Sequence, residues 1–232
     1  MTNKVVICIP TMTRPYQQTL DALAGSVPAL DAAGIKHSMV TEIGCPYISG
    51  ARATMLRKAL DAGADTIIFI DHDVSWRPND LVKLAQTDGD VIAGLYRFKQ
   101  AGEVKYMGVL DDDANGMQKI RGDGCIKATR VPAGFLKVTR KAVNTFMRAY
   151  PHLVYGEECN PSVDLFNHGA HKGAWWGEDY AFSRNWIDCG GEIWVIPDLT
   201  LTHHGAEDFP GNYHEFLLQQ PGGSNETVQS SH

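Results

Sequence analysis

Long apolar runs are missing from this 232-residue chain. No stretch approaches the ~20 residues that span a bilayer, so no transmembrane helix is expected. The opening MTNKVVICIPTMTRP holds only a strand-length apolar run before turn residues, unlike a secretion signal. Cysteine is sparse and unpatterned: Cys8, Cys45, Cys125, Cys159 and Cys189 are scattered, with no CxxC pair. That argues against a disulfide framework or a zinc site and for reduced thiols, hence a cytoplasmic protein. A basic excess is also missing. The formal net charge is −6, which disfavours a protein that grips many nucleic-acid phosphates, although a local basic patch is compatible with an acidic total. There is no internal repeat.

What is present is an ordinary globular composition, 44% hydrophobic and 21% charged, on a length that suits one α/β domain better than two. VVICIP at 5–10 reads as a buried strand ending in the turn cluster TMTRP. Residues 16–33 have helical spacing, with Pro28 expected to break or kink them. A strand is expected over 36–43, a helix over 49–62 closed by Gly63, and a strand over 66–70, TIIFI. Pro78 opens a further helix to about Gln86, and a strand follows at 90–93. Such alternation predicts a mostly parallel sheet flanked by helices. Beyond it come short strand-like pieces over 104–139, a helix over 140–150, and a polar loop over 155–174. A helix over 178–188 and a strand over 192–197 complete the pattern, and the tail from 221 looks flexible.

Asp71-His72-Asp73 stands directly after TIIFI. Ligands of open α/β sheets bind beyond the carboxyl ends of the strands. In an extended segment Asp71 and Asp73 point to one side and His72 to the other. Two carboxylates so close repel unless a cation or hydrogen-bond donors separate them. A divalent metal bridging them to a diphosphate satisfies that need; a solvated strand end or a helix cap is the plainer alternative. Thr202-His203-His204-Gly205 follows a later strand, and of two adjacent extended histidines at most one faces the aspartates. A His plus Asp set suits Mn²⁺, with Mg²⁺ as the substitute.

Trp175-Trp176-Gly177-Glu178-Asp179-Tyr180 places two acids at a helix start, where the dipole alone would favour them. The tryptophans suggest an aromatic-walled cleft, beside which a carboxylate acquires the raised pKa of a general base. Thr11 and Arg14 lie in the turn after the first strand, a usual place for a nucleotide base or ribose. Arg52 and Arg57, five apart, diverge by about 140° on a helix. Arg52, after the Gly50-Ala51 turn, is the better candidate to reach a ligand.

In order, VVICIPTMTRP, ARATMLRKALDAGADTIIFIDHDV, VPAGFLKVTRKAV and WWGEDYAFSRNWIDCGGEIWVIPDLTLTHHG resemble the GT-A glycosyltransferases, especially small bacterial or phage members of the inverting type. The resemblance spans about 4–205. It implies a GT-A, Rossmann-like α/β fold with a smaller mixed sheet on the acceptor side. One domain would cover 1–220, with a nucleotide-sugar half to about 100 and an acceptor half beyond. The implied donor is a nucleoside diphosphate sugar, and the implied cofactor Mn²⁺ or Mg²⁺. Asp71 then resembles the acid that contacts the nucleoside or a metal-bound water, and Asp73 the acid that binds metal. One of His203 and His204, with His203 preferred as the first after its strand, completes the metal site. Asp179, of the Glu178-Asp179 pair, resembles the base that deprotonates the acceptor hydroxyl. Pro132 to Phe135 resembles the segment beneath the donor sugar. Trp175 or Trp176 would wall the sugar pocket, with 155–174 as a lid. The acceptor would be a glycan, a small molecule or a modified DNA base. A nucleotidyltransferase and a non-catalytic sugar- or nucleotide-binding module are the rival readings.

Overall fold

A computed structural model describes residues 4–219, so the tail beyond 221 lies outside the described residues. The first half runs β1 (Lys4–Thr11), α1 (Gln17–Ala32), β2 (Lys36–Ile43), α2 (Ile48–Asp61), β3 (Thr66–Ile70), β4 (Val74–Trp76), α3 (Pro78–Gln86) and β5 (Val91–Ala93). The second half begins with β6 (Val109–Leu110), β7 (Ile126–Arg130), β8 (Phe135–Thr139) and α4 (Arg140–Ala149). It continues through β9 (Val154–Glu157), β10 (Asn160–Val163), β11 (Gly169–His171), β12 (Ala174–Trp176) and α5 (Glu178–Asp188). It ends in β13 (Ile193–Val195), β14 (Thr200–His204), β15 (Asp208–Asn212) and α6 (Tyr213–Gln219).

Eight strands form the main sheet in the order β2-β1-β3-β8-β5-β13-β7-β6. The expected mostly parallel sheet is in fact mixed. β1 pairs in parallel with β2 and β3, and β5 with β13. β8 lies antiparallel to both β3 and β5, and β7 antiparallel to β13 and β6. β8 owes its direction to the chain between β5 and itself, which includes the β6–β7 pair and has no crossover helix to turn it parallel.

The central strands are apolar throughout because both faces are covered. In β3, Ile67 and Phe69 enter one core with α2, α4 and α5, whereas Ile68 and Ile70 enter the other with α1 and α3. β2, at the sheet edge, has no fully buried residue and alternates accordingly. Gly63 takes a positive φ of 77° just past α2, as its place suggested.

Two further expectations are revised. α1 is not broken at Pro28, and the Ser26 hydroxyl donates to the Ala22 carbonyl and accepts from the Trp76 indole. The polar stretch 155–174 is no loop: it contains the antiparallel hairpins β9–β10 and β11–β12. Glycines, asparagines and histidines hide a period-two pattern in strands this short. No helix among the described residues is long and apolar enough to cross a membrane.

Candidate active site

β3 ends at Ile70, and the chain turns at Asp71-His72-Asp73 before β4. The His72 carbonyl accepts from the Tyr16 amide at 2.8 Å and from Thr19 Oγ1 at 3.0 Å, tying the start of α1 to this loop. The two aspartates then meet different partners.

Asp71 is held on all sides. Its Oδ1 accepts from Arg52 Nη2 at 2.8 Å and its Oδ2 from Tyr96 Oη at 3.2 Å, while its amide donates to the Gly134 carbonyl at 3.1 Å. Burial pushes the Tyr96 phenol well up, so it stays a donor. Gly134 has to be glycine here, because a Cβ would overlap Tyr96 Oη and the Asp71 carboxylate. Arg52 is 2% exposed and reaches Glu178 Oε1 at 2.9 Å with its other arm. Its guanidinium carbon lies 5.1 Å from the Phe166 ring centroid. Arg52 therefore joins the end of β3 to the start of α5, and does not project into open space.

Asp73 faces β14. Antiparallel pairing sets His203 opposite Val74, and the His204 amide donates to the Asp73 carbonyl at 2.7 Å. His203 Nε2 lies 3.7 Å from Asp73 Oδ1, and Nδ1 lies 2.8 Å from the Arg97 carbonyl. A carbonyl only accepts, so Nδ1 carries the hydrogen and the Nε2 lone pair faces Asp73. Burial also holds His203 below its usual pKa, in the neutral form. His204 points the other way: Nε2 is 2.7 Å from Ser75 Oγ and Nδ1 is 2.7 Å from Asp208 Oδ1. The opposite-sides rule for adjacent extended histidines therefore holds.

Asp179, on the first turn of α5, is partly buried. Burial pushes its carboxyl up to about 7, helped by the Glu178 charge; Arg52 and the Tyr180 amide pull it back. The two tryptophans separate. The guanidiniums of Arg130 and Arg184 both pack on the Trp176 ring, at 4.7 and 4.9 Å from its centroid. Trp175 is 70% exposed. Thr11 is buried at the end of β1, and its Oγ1 has no hydrogen-bond partner. Arg14 is exposed and donates to Gln17.

Sequence reasoning did not single out Tyr96 or Lys99, which forms an ion pair with Asp73. Both follow β5, and the carboxyl-end rule was the signal that could have found them. Among the described residues no three His, Cys, Asp or Glu side chains gather closely enough to hold a metal by themselves. Asp73 Oδ1 and the Nε2 lone pair of His203 lie 3.7 Å apart, a two-ligand half-site of a kind that could hold a divalent cation completed by other oxygen ligands. A cavity of about 640 Å³ lies away from these groups, lined by Val5 and Thr66 at the starts of β1 and β3 and by Lys137.

No protein-family model matches the chain, and no curated protein does. Among solved structures, A197 from STIV is similar over 99% of this chain and 98% of its own, with a TM-score of 0.50 and 14% identity. A Drosophila β-1,4-galactosyltransferase 7 mutant in complex with manganese, UDP-Gal and xylobiose has a TM-score of 0.46 and 12% identity, covering 98% of this chain and 77% of that one. S. aureus TarS in complex with UDP-GlcNAc also has a TM-score of 0.46 and 12% identity, over 84% of this chain and 56% of that one. Over nearly its whole length the chain shares the fold of A197, a mixed sheet flanked by helices.

Proposed function

We propose that this chain is a metal-dependent glycosyltransferase that moves a sugar from a nucleoside diphosphate sugar to an acceptor hydroxyl with inversion. The observation that carries the reading is the Arg52 tie, which sets Glu178-Asp179 at the start of α5 beside the Asp71 loop. Burial pushes the neighbouring Asp179 carboxyl up to about 7, and a general base works best with a pKa near the working pH.

Asp179 takes the proton of the acceptor hydroxyl as its oxygen bonds to the anomeric carbon. The bond from that carbon to the diphosphate oxygen breaks, and its electrons leave with the nucleoside diphosphate. A base on the face opposite the leaving group gives inversion. Arg52 acts as a positioning residue, holding Glu178 and orienting Asp71 toward the nucleoside. Thr11, buried at the end of β1, and the exposed Arg14 flank the nucleoside side. Trp175 walls the sugar pocket, and Trp176 fixes the hairpin that carries it. Mn²⁺ or Mg²⁺ bound by Asp73 and His203 Nε2 would neutralise charge growing on the leaving diphosphate. In this reading His204 supports the loop from behind and binds no metal. Residues 1–220 act as one catalytic domain, the first hundred or so serving the donor and the remainder the acceptor, in the cytoplasm.

The test is release of nucleoside diphosphate from a panel of nucleotide sugars without acceptor, with Mn²⁺ or Mg²⁺. Release of one diphosphate that needs metal and disappears in Asp73→Ala supports the reading. No release, together with no metal-assisted nucleotide binding by calorimetry, sinks it.

A further inference from the structure

The segment between β5 and β6 carries a charge that the proposed reaction leaves unused. Arg97 bridges Tyr106 in antiparallel fashion, the Phe98 amide donates to the Lys105 carbonyl at 3.0 Å, and the Met107 amide to the Tyr96 carbonyl at 2.9 Å. The segment is thus a short hairpin, and its first arm makes two contacts with the half-site. The Arg97 carbonyl holds His203 Nδ1 at 2.8 Å. Two residues on, the Lys99 ammonium meets Asp73 Oδ2, the carboxylate whose other oxygen lies 3.7 Å from His203 Nε2. The lysine stem runs over Gly205, where an added Cβ would come within 3.1 Å of Lys99 Cδ.

We propose that Lys99 is an exchangeable cation of the donor site. Its ammonium balances Asp73 in the free protein, and when a divalent cation takes that carboxylate, the ammonium moves onto the donor diphosphate. The inference rests on the glycosyltransferase reading. One carboxylate cannot balance a divalent cation and an ammonium at the same time, and like charges at such a distance disfavour each other. The Lys99 side chain is 32% exposed, so it can turn without unpacking the core. A four-carbon stem with three rotatable donors suits such a swing better than a planar guanidinium would. The destination is set by charge: the diphosphate gains negative charge as it leaves, and a second cation near it stabilises that state. Because the same hairpin holds His203, arrival of the cation and movement of the lysine share one mechanical element.

Two calorimetric titrations of the full chain test this, first with Mn²⁺ alone and then with inorganic pyrophosphate at saturating Mn²⁺. Lys99→Met should bind Mn²⁺ about tenfold more tightly and pyrophosphate about tenfold more weakly, the effect of one charge-assisted contact near water. Lys99→Arg should restore most of the pyrophosphate affinity. Gly205→Ala, which crowds the lysine stem and keeps its charge, should also tighten Mn²⁺ binding. Circular dichroism confirms that each variant is folded. Unchanged or weaker Mn²⁺ binding in Lys99→Met, or unchanged pyrophosphate affinity, overturns the role of Lys99 and leaves the transferase reading standing. If the wild-type chain binds no Mn²⁺–pyrophosphate at all, the role of Lys99 is overturned, and the transferase reading stands or falls on nucleotide-sugar turnover and metal-assisted nucleotide binding.

Discussion

Asp179 and Arg52 show how single side chains divide catalysis from stability. The Asp179 carboxyl is raised to about 7. Below about pH 4 it is protonated in both the folded and unfolded chain and costs nothing; as pH rises toward 7, the unfolded chain sheds the proton first and the fold loses stability. Asp179→Asn should therefore raise Tm at pH 8 and change it little at pH 4, read by thermal melts. The same variant should lose at least about 100-fold in kcat, the usual worth of a positioned base. In the wild-type protein, kcat/KM should climb with pH and level off above an apparent pKa near 7. Arg52 behaves in the opposite way. Arg52→Met strands the Asp71 and Glu178 carboxylates that it joins at 2.8 and 2.9 Å. Breaking a buried pair on one side costs about 3–5 kcal/mol, and urea unfolding should show a loss of that order.

At the scale of elements, β8 is a central strand of the sheet and carries a lysine into the interior. Its Lys137 is 4% exposed, with its ammonium on the Thr87 carbonyl, and burial lowers its pKa to about 8. The folded chain gives up this proton before the unfolded chain does. The penalty is full below pH 8 and is relieved as pH rises toward 10.5, so stability contributed at this site increases across that window. The swing is about 3 kcal/mol for a shift of this size. Lys137→Met should flatten the dependence of unfolding free energy on pH between those limits, measured by chemical denaturation; an unaltered slope would count against a buried charged lysine. The elements around β8 were readable to within a residue or two: TIIFI, the helix from Pro78 and the helix from Glu178 all carry long or strongly apolar signals. The hairpins at 154–176 were not, because two- to four-residue strands have too few positions to establish a period.

For the whole molecule, the site exists only when β3, α2, α5 and β14 are assembled, so ligands should stabilise the complete fold. Mn²⁺ with the matching nucleoside diphosphate at about 100 times its dissociation constant should add about 2.7 kcal/mol. In a protein of this length that is a rise in Tm of roughly 5–10 °C. Neither component alone should reach it, and His203→Ala should abolish the joint effect, as differential scanning fluorimetry would show. His204→Ala should lower Tm without ligand, since both its ring nitrogens hold the protein together.

The layered α/β class, the placement of Asp71 and Asp73 at a strand end, the opposed directions of His203 and His204, and the two acids opening α5 are all legible along the chain. These are local matters of period, turn chemistry and extended geometry, which neighbouring residues set between them. Tertiary structure alone decided that His203 and not His204 meets Asp73, that Arg52 is a buried tie between two carboxylates, that β8 runs antiparallel, and that Lys99 stands on Asp73. Each of these depends on contacts between residues 19 to 130 positions apart. Pairing of distant strands and burial of charge are settled by the whole chain closing on itself, and no local pattern encodes them.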